Sequence, residues 1–279
     1  MKKLVTVLVL LVIVATVFVG CSPQLNFGKK LVKPDDMISI LTELTAGTAD
    51  VGIMDSIMAG YYMSQDTNYA SKLMVIEDLV FVEEEYGIAA RKEADSTIYQ
   101  INKAIIEMKK DGTATTIAET YGLAPYLIID ENYDLGEDKS TDNDWATIKG
   151  KNKIVIGYTV FAPIAYPDAN DNLVGFDIDF AKTVGAYLGL TVEFVEIDWT
   201  TKEFELYSKN IDLLWNGMTI TPEREASMNI SIPYLSNRQV AVIRKADKDV
   251  YTNTETMKDA IIAAEGGSAG QSIVEKARD

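Results

Sequence analysis

The run Asn216-Gly217-Met218-Thr219-Ile220-Thr221-Pro222-Glu223-Arg224 dictates a local structure more firmly than any other stretch of the chain. Thr221 is a good N-cap, Pro222 suits the first helical position and Glu223 the first turn, so a helix starts here. Arg224 then falls at the third helical position, beside the positive end of the helix dipole, where a lone cation is disfavoured by about 0.3–1 kcal/mol. Such an arginine is either solvated and offset by Glu223 and Glu225, or it holds an anion.

The 279 residues, 47% of them hydrophobic, suffice for two modest lobes with cores of their own. Residues 49–54, 73–82, 154–158, 191–195, 211–215 and 239–244 read as strands bounded by Gly, Asp or Asn. Residues 36–45, 96–108, 113–121, 177–188 and 268–278 read as helices. In 177–188, Ile178, Ala181, Val184 and Leu188 share a face, with Asp177 as cap and Gly189 as stop. The expectation is an α/β fold with largely parallel sheets.

Residues 1–20 carry Lys2 and Lys3, then an apolar stretch over 4–19, and meet Gly20-Cys21, the form of a signal peptide ending in a lipoprotein cleavage site. A retained membrane helix is the rival reading of the same run. The small Gly20 before the single cysteine, and the polar segment after it, favour cleavage and a lipid on Cys21. Cys21 is then neither a catalytic thiol nor a disulfide partner.

Loss of residues 1–20 removes two lysines and takes the formal charge from −16 to −18. Nucleic acid is excluded as a partner, because it is bound by clustered Lys and Arg, and the body of the protein should not cling to anionic lipid. A chain with no histidine and one committed cysteine cannot form a Ser-His-Asp or Cys-His site or a His-bearing zinc site. No metal and no cofactor is expected.

Taken with the run 216–224, Gly175-Phe176-Asp177-Ile178-Asp179-Phe180-Ala181-Lys182, Ile197-Asp198-Trp199 and Ile211-Asp212-Leu213-Leu214-Trp215 resemble the extracellular amino-acid-binding proteins of ABC importers, solute-binding protein family 3. That resemblance covers most of residues 150–279. Ala46-Gly47-Thr48-Ala49-Asp50-Val51-Gly52-Ile53-Met54-Asp55, Glu85-Tyr86-Gly87-Ile88-Ala89-Ala90-Arg91-Lys92 and the stretch 101–122 resemble the later part of the same family. In the family that part follows a Gly-Ser-rich turn, which here stands near the C-terminus at Gly266-Gly267-Ser268-Ala269-Gly270.

The order is rotated, so the resemblance implies a circularly permuted, two-lobed periplasmic-binding-protein-like (type II) α/β fold with a two-strand hinge. Rotation costs little, since domain termini are often close and the cost of loop closure grows slowly with loop length. The closing join is placed at 129–144, rich in Asp, Asn and Glu. Lobe 1 then spans 91–243, lobe 2 is assembled from 21–90 and 244–279, and the hinge strands lie near 86–90 and 240–244.

An amino-acid ligand presents a carboxylate, an ammonium and a side chain. The resemblance implies that Arg224 clamps the carboxylate with two parallel N–H bonds, helped by the backbone N–H of Thr219. Ser268 and Ala269 offer N–H groups from the opposite lobe, although a bare strand-to-helix turn would use the same glycines. Without a Gly-Lys-Ser/Thr, that turn is no nucleotide-phosphate loop. Asp55 is either the N-cap of a helix from Ser56 or, like the family's matching aspartate, the holder of the ammonium.

Phe161 and Trp199 match aromatic positions that sandwich the ligand side chain in relatives, although on their own they read more readily as core. Asn216, Gly217 and Met218 line the floor, Gly217 admitting close backbone approach, with Trp215 packed beneath. The identity of the amino acid is not legible. Tyr158 or its neighbour stands where relatives taking cationic or amide side chains carry an acid, and Glu265 either reaches a polar or basic ligand head or faces water.

The implied function is capture of a free amino acid for an ABC permease, from a lipid-anchored, extracytoplasmic position at the cell membrane. The rivals are a sensory module for a membrane signalling protein and a dehydratase-like enzyme on the same fold, which would need a carboxylate or lysine for acid–base work. A binding protein rather than an enzyme is expected. It should be a monomer, or a swapped dimer if two copies exchange their chain ends.

Overall fold

The computed structural model describes residues 27–277. The signal segment 1–20, the lipidation site Cys21 and the expected helix end at Arg278 lie outside the described residues.

The chain opens with β1 (Lys30–Val32), α1 (Ile38–Ala46), β2 (Val51–Asp55), α2 (Ser56–Gln65) and α3 (Thr67–Lys72). It continues with the long β3 (Leu73–Arg91), α4 (Asp95–Lys110), α5 (Thr113–Thr120) and α6 (Asp144–Lys151). Next come β4 (Lys153–Tyr158), a small hairpin of β5 (Tyr166–Pro167) and β6 (Leu173–Val174), α7 (Phe176–Leu188) and β7 (Thr191–Glu196). It closes with α8 (Lys202–Tyr207), β8 (Leu213–Thr219), α9 (Pro222–Ser227), β9 (Met228–Ile230), β10 (Leu235–Arg244), β11 (Ile261–Ala263) and α10 (Ala269–Lys276).

The main sheet runs β1-β11-β2-β10-β3-β8-β4-β7, with β9 also beside β3. β1 lies parallel to β11, Lys30 opposite Ile261 and Val32 opposite Ala263, and β11 is parallel to β2. Strands from the two ends of the chain are therefore hydrogen-bonded neighbours in one half of the molecule. Phe27, Val51 and Ile53 from the early segment pack there against Ile243, Met257, Ile262 and Val274 from the late one. A larger core starts at Ile40, Leu41 and Leu44 and continues through Tyr86 and Phe161 to Phe176, Phe180 and Trp215 in the other half.

Two strands, β3 and β10, run through both halves. They pair antiparallel from Leu235 opposite Tyr86 to Arg244 opposite Leu73, with register shifts on either side of Val240. The expected strand at 73–82 and the expected crossing at 86–90 are thus one continuous strand. These strands also correct the expectation of largely parallel sheets. β10 is antiparallel to its neighbours β2 and β3, and β3 is antiparallel to β8 and β9, so the parallel pairs are confined to the outer parts of the sheet.

The acid-rich stretch 129–144 uses its acids to turn. Asp130, Asp134 and Asp138 each accept the N–H two residues on, the pattern of Asx turns. Its far end is pinned where Asp142 accepts the Ser96 N–H and Asp144 pairs with the buried Arg91 at 2.6 Å.

Candidate functional site

β8 delivers the chain into α9 as the sequence dictates: Thr221 Oγ1 accepts the Arg224 N–H at 3.2 Å and Pro222 begins the helix. The Arg224 guanidinium donates through Nη1 to the Thr219 carbonyl at 2.8 Å and through Nη2 to the Gly267 carbonyl at 3.3 Å. It also lies 5.8 Å from the centre of the Trp199 ring. Gly267 belongs to the turn between β11 and α10, with φ at +73°. Its carbonyl accepts from Lys202 Nζ as well, at 3.3 Å, so one oxygen from the half shared by the chain ends draws two cations of the other half toward it.

Asp55 ends β2 and stands at the N-cap of α2, but its side chain caps nothing. The Tyr86 hydroxyl donates to its Oδ1 at 2.5 Å, and the Asn237 amide donates to the same oxygen. That amide also donates to Glu84 at 2.6 Å, and Gln239 Nε2 donates to the same Glu84 oxygen at 2.8 Å. Asp55 is only 5% exposed. Burial, and next the repulsion of Glu84, hold its carboxyl well above the usual carboxylate range. A ligand ammonium would reverse that, since an opposite charge in contact favours the ionised form.

The floor is fixed from below by Asp177. The sequence placed it as the cap of α7, but the N-cap is Gly175, which makes no side-chain cap bond. Asp177 Oδ2 instead accepts the Gly217 N–H and the Tyr234 hydroxyl, both at 2.8 Å. Burial pushes the Asp177 carboxyl up to about 7. Gly217 has φ at +57°, and a Cβ there would come within 2.7 Å of Phe161 Cε1. An L side chain in that conformation also costs about 1–2 kcal/mol, so only glycine fits.

Asn216, oriented so that both amide atoms are satisfied, accepts the Thr159 hydroxyl at 2.6 Å and donates to the Thr159 carbonyl at 3.1 Å, clipping that loop to β8. Met218, expected in the floor, does not reach the cavity. Met218 packs instead with Leu214, Leu206 and Met228 in a separate core, although Asn216 two residues before it lines the cavity, strict alternation along β8 being broken at Gly217 with its positive φ. Trp215 is buried beneath, edge-on to Phe180, as expected.

One cavity results. Asp55, Ser268 and Ala269 line it from one half, and Phe161, Trp199, Asn216, Gly217, Thr219 and Arg224 from the other. Met37, Thr159, Val160 and Glu265 complete its wall. Its volume is about 20 Å³, room for roughly one water. A wide cleft of about 1320 Å³ borders it, and Thr219, Arg224 and Ala269 line both.

Residues 154–272 match the sequence profile of the bacterial extracellular solute-binding proteins, family 3. A solved structure, the arginine-bound form of domain 1 from TmArgBP, is 31% identical, with 40% of this chain matched to 93% of that one at a TM-score of 0.32. Residues 154–272 belong to the bacterial extracellular solute-binding proteins, family 3. Among curated relatives, the arginine-binding extracellular protein ArtP of Bacillus subtilis is 34% identical over 34% of this chain and 38% of its own length. The L-cystine-binding protein TcyA of the same organism is 32% identical over 44% of this chain and 47% of its own. The alignments thus span about half or less of these two relatives.

Several residues of this solute-binding protein's site escaped the sequence reading. Lys202 stands one helical turn after Trp199, over its ring at 4.9 Å, and donates to the Trp199 carbonyl at 3.0 Å. The spacing was a usable signal, since i and i+3 share a helical face. Burial, and then the neighbouring Arg224, pull its ammonium down to about 8. Asn237 and Gln239 alternate on β10, which marks a polar strip on one strand face, but their partner Glu84 lies more than 150 positions away in sequence. Glu265 does not face water: it is 7% exposed, and burial pushes its carboxyl up to about 8.

Proposed function

We propose that this solute-binding protein captures a free amino acid in the cavity between its two halves and presents it to an ABC permease, held at the extracytoplasmic face of the membrane by lipid on Cys21. The single observation that carries the reading is that Arg224 and Asp55, from opposite halves, line one cavity together with Trp199 and Phe161. A zwitterion needs one donor fork for its carboxylate and one acceptor for its ammonium. ArtP is an arginine-binding protein and TcyA an L-cystine-binding protein, and both ligands are amino acids.

Circular permutation is part of the same reading, supported by the parallel pairing of β1 with β11 and by the turn-rich join before α6. The cavity holds about one water, so the ligand gains access when the halves part about β3 and β10. Opening breaks the bonds of Arg224 and Lys202 to the Gly267 carbonyl and the pair between Glu223 and Lys276 at 3.1 Å. The ligand carboxylate then replaces the Gly267 oxygen on Arg224, and closure around it follows from tighter binding to the closed form.

Titration calorimetry of the detergent-solubilised lipoprotein against the common amino acids tests this. One class should bind with micromolar or better affinity, about −8 kcal/mol. Heats indistinguishable from dilution for every amino acid would sink the proposal.

A further inference from the structure

We propose that Glu265 selects the ligand: the bound amino acid carries a cationic side chain, an ammonium or guanidinium, that pairs with the Glu265 carboxylate. This rests on the capture reading above and adds the class of amino acid captured.

The starting point is the charge inventory of the cavity. Its wall carries two carboxylates, Asp55 and Glu265, and one cation, Arg224. The zwitterionic end of any amino acid uses Arg224 and Asp55 and leaves Glu265 over. Glu265 is 7% exposed and lines the cavity, and no hydrogen bond or ion pair joins its carboxylate to another described residue. Buried carboxylates without partners are costly and uncommon.

Lys202, whose charge acts on Glu265, does not fill that role. Lys202 gives its protons to the carbonyls of Trp199 and Gly267 and lies over the Trp199 ring, and it makes no ion pair with Glu265 within 4.0 Å. The other charged groups felt by Glu265 are Arg224, already committed, and the acids Asp36 and Asp198, whose repulsion deepens its need for a cation. The Thr159–Val160 wall carries no charge. Trp199 and Phe161 add aromatic surface, which attracts a cation through the ring quadrupole.

An acidic ligand side chain would meet an unpaired acid at this wall. An aliphatic one would leave the Glu265 carboxylate buried without a partner. Of the side-chain classes, the cationic one alone relieves the burial and the repulsion together.

The test uses calorimetry on the detergent-solubilised full-length protein and Glu265→Gln, with L-arginine, L-lysine, L-glutamine, L-norleucine and L-glutamate as probes. The wild type should bind L-arginine or L-lysine at least about ten-fold more tightly than the other three. In Glu265→Gln the affinity for the cationic probe should fall by about thirty-fold or more, with L-glutamine and L-norleucine changing by less than about three-fold. An equal loss for every probe would mean a merely structural Glu265 and would overturn the proposal, as would a wild type that prefers an aliphatic, amide or acidic amino acid. Should the variant not fold, the wild-type preference decides alone. If no probe binds the wild type, the capture reading itself fails, a result distinct from binding that ignores Glu265.

Discussion

Arg224→Ala should abolish measurable amino-acid binding, with affinity lowered by about a thousand-fold in calorimetry. Truncating one partner of a buried, hydrogen-bonded charge pair costs about 2–5 kcal/mol or more, largely because the other charge is left buried without a counterion. Here the stranded charge would be the ligand carboxylate. Arg224→Lys should not rescue it, because a point charge cannot hold the Thr219 carbonyl and a carboxylate at once as the guanidinium fork can. The folded state should be affected little. Removing the side chain loses its bonds to Thr219 and Gly267 but also removes a cation from the start of α9, so the net change in stability should stay within about 1 kcal/mol. Full affinity retained in Arg224→Ala would place the carboxylate elsewhere.

Asp55→Asn should separate binding from stability in the opposite sense. The ammonium loses its counter-charge, and affinity should fall by about a hundred-fold or more. Yet the protein without ligand should unfold at the same temperature or higher. Asp55 is a buried carboxyl beside Glu84, its pKa raised first by burial and then by that neighbour. The amide removes the desolvated charge while keeping an oxygen for the Tyr86 hydroxyl, and replacing a strained buried charge by a neutral group of its own shape is often neutral or stabilising. Loss of both stability and binding would show that Asp55 is a structural member of the Tyr86–Asn237–Glu84 network and no more.

Legibility in the sequence followed range. The start of α9 at Thr221, the end of β2 at Asp55 and the stop of α7 at Gly189 rest on neighbours within a few residues, so cap and glycine chemistry suffices to place them. The neighbourhood of β1 and β11 followed from the order of the motifs, a pattern no local propensity contains. What was not legible depends on distant partners. Asp177 has the look of a cap because the donors that claim it, Gly217 and Tyr234, lie 40 and 57 positions away. Met218 was misplaced because the backbone turns through a positive φ at Gly217, so that Met218 packs in a core apart from the cavity that Asn216 lines. Glu265 stayed ambiguous because its exposure is a property of the closed cavity and not of the turn that carries it.

Hydrogen exchange of the backbone amides, with and without a saturating amino acid, asks whether the ligand is held between halves that both chain ends help to build. Exchange at 55–57, 219–224 and 265–270 should slow together on binding, and β1 and β11 should share one level of protection in the free protein, since each covers the other's backbone. Slowing confined to one half, or a β1 that exchanges freely while β11 stays protected, would contradict it.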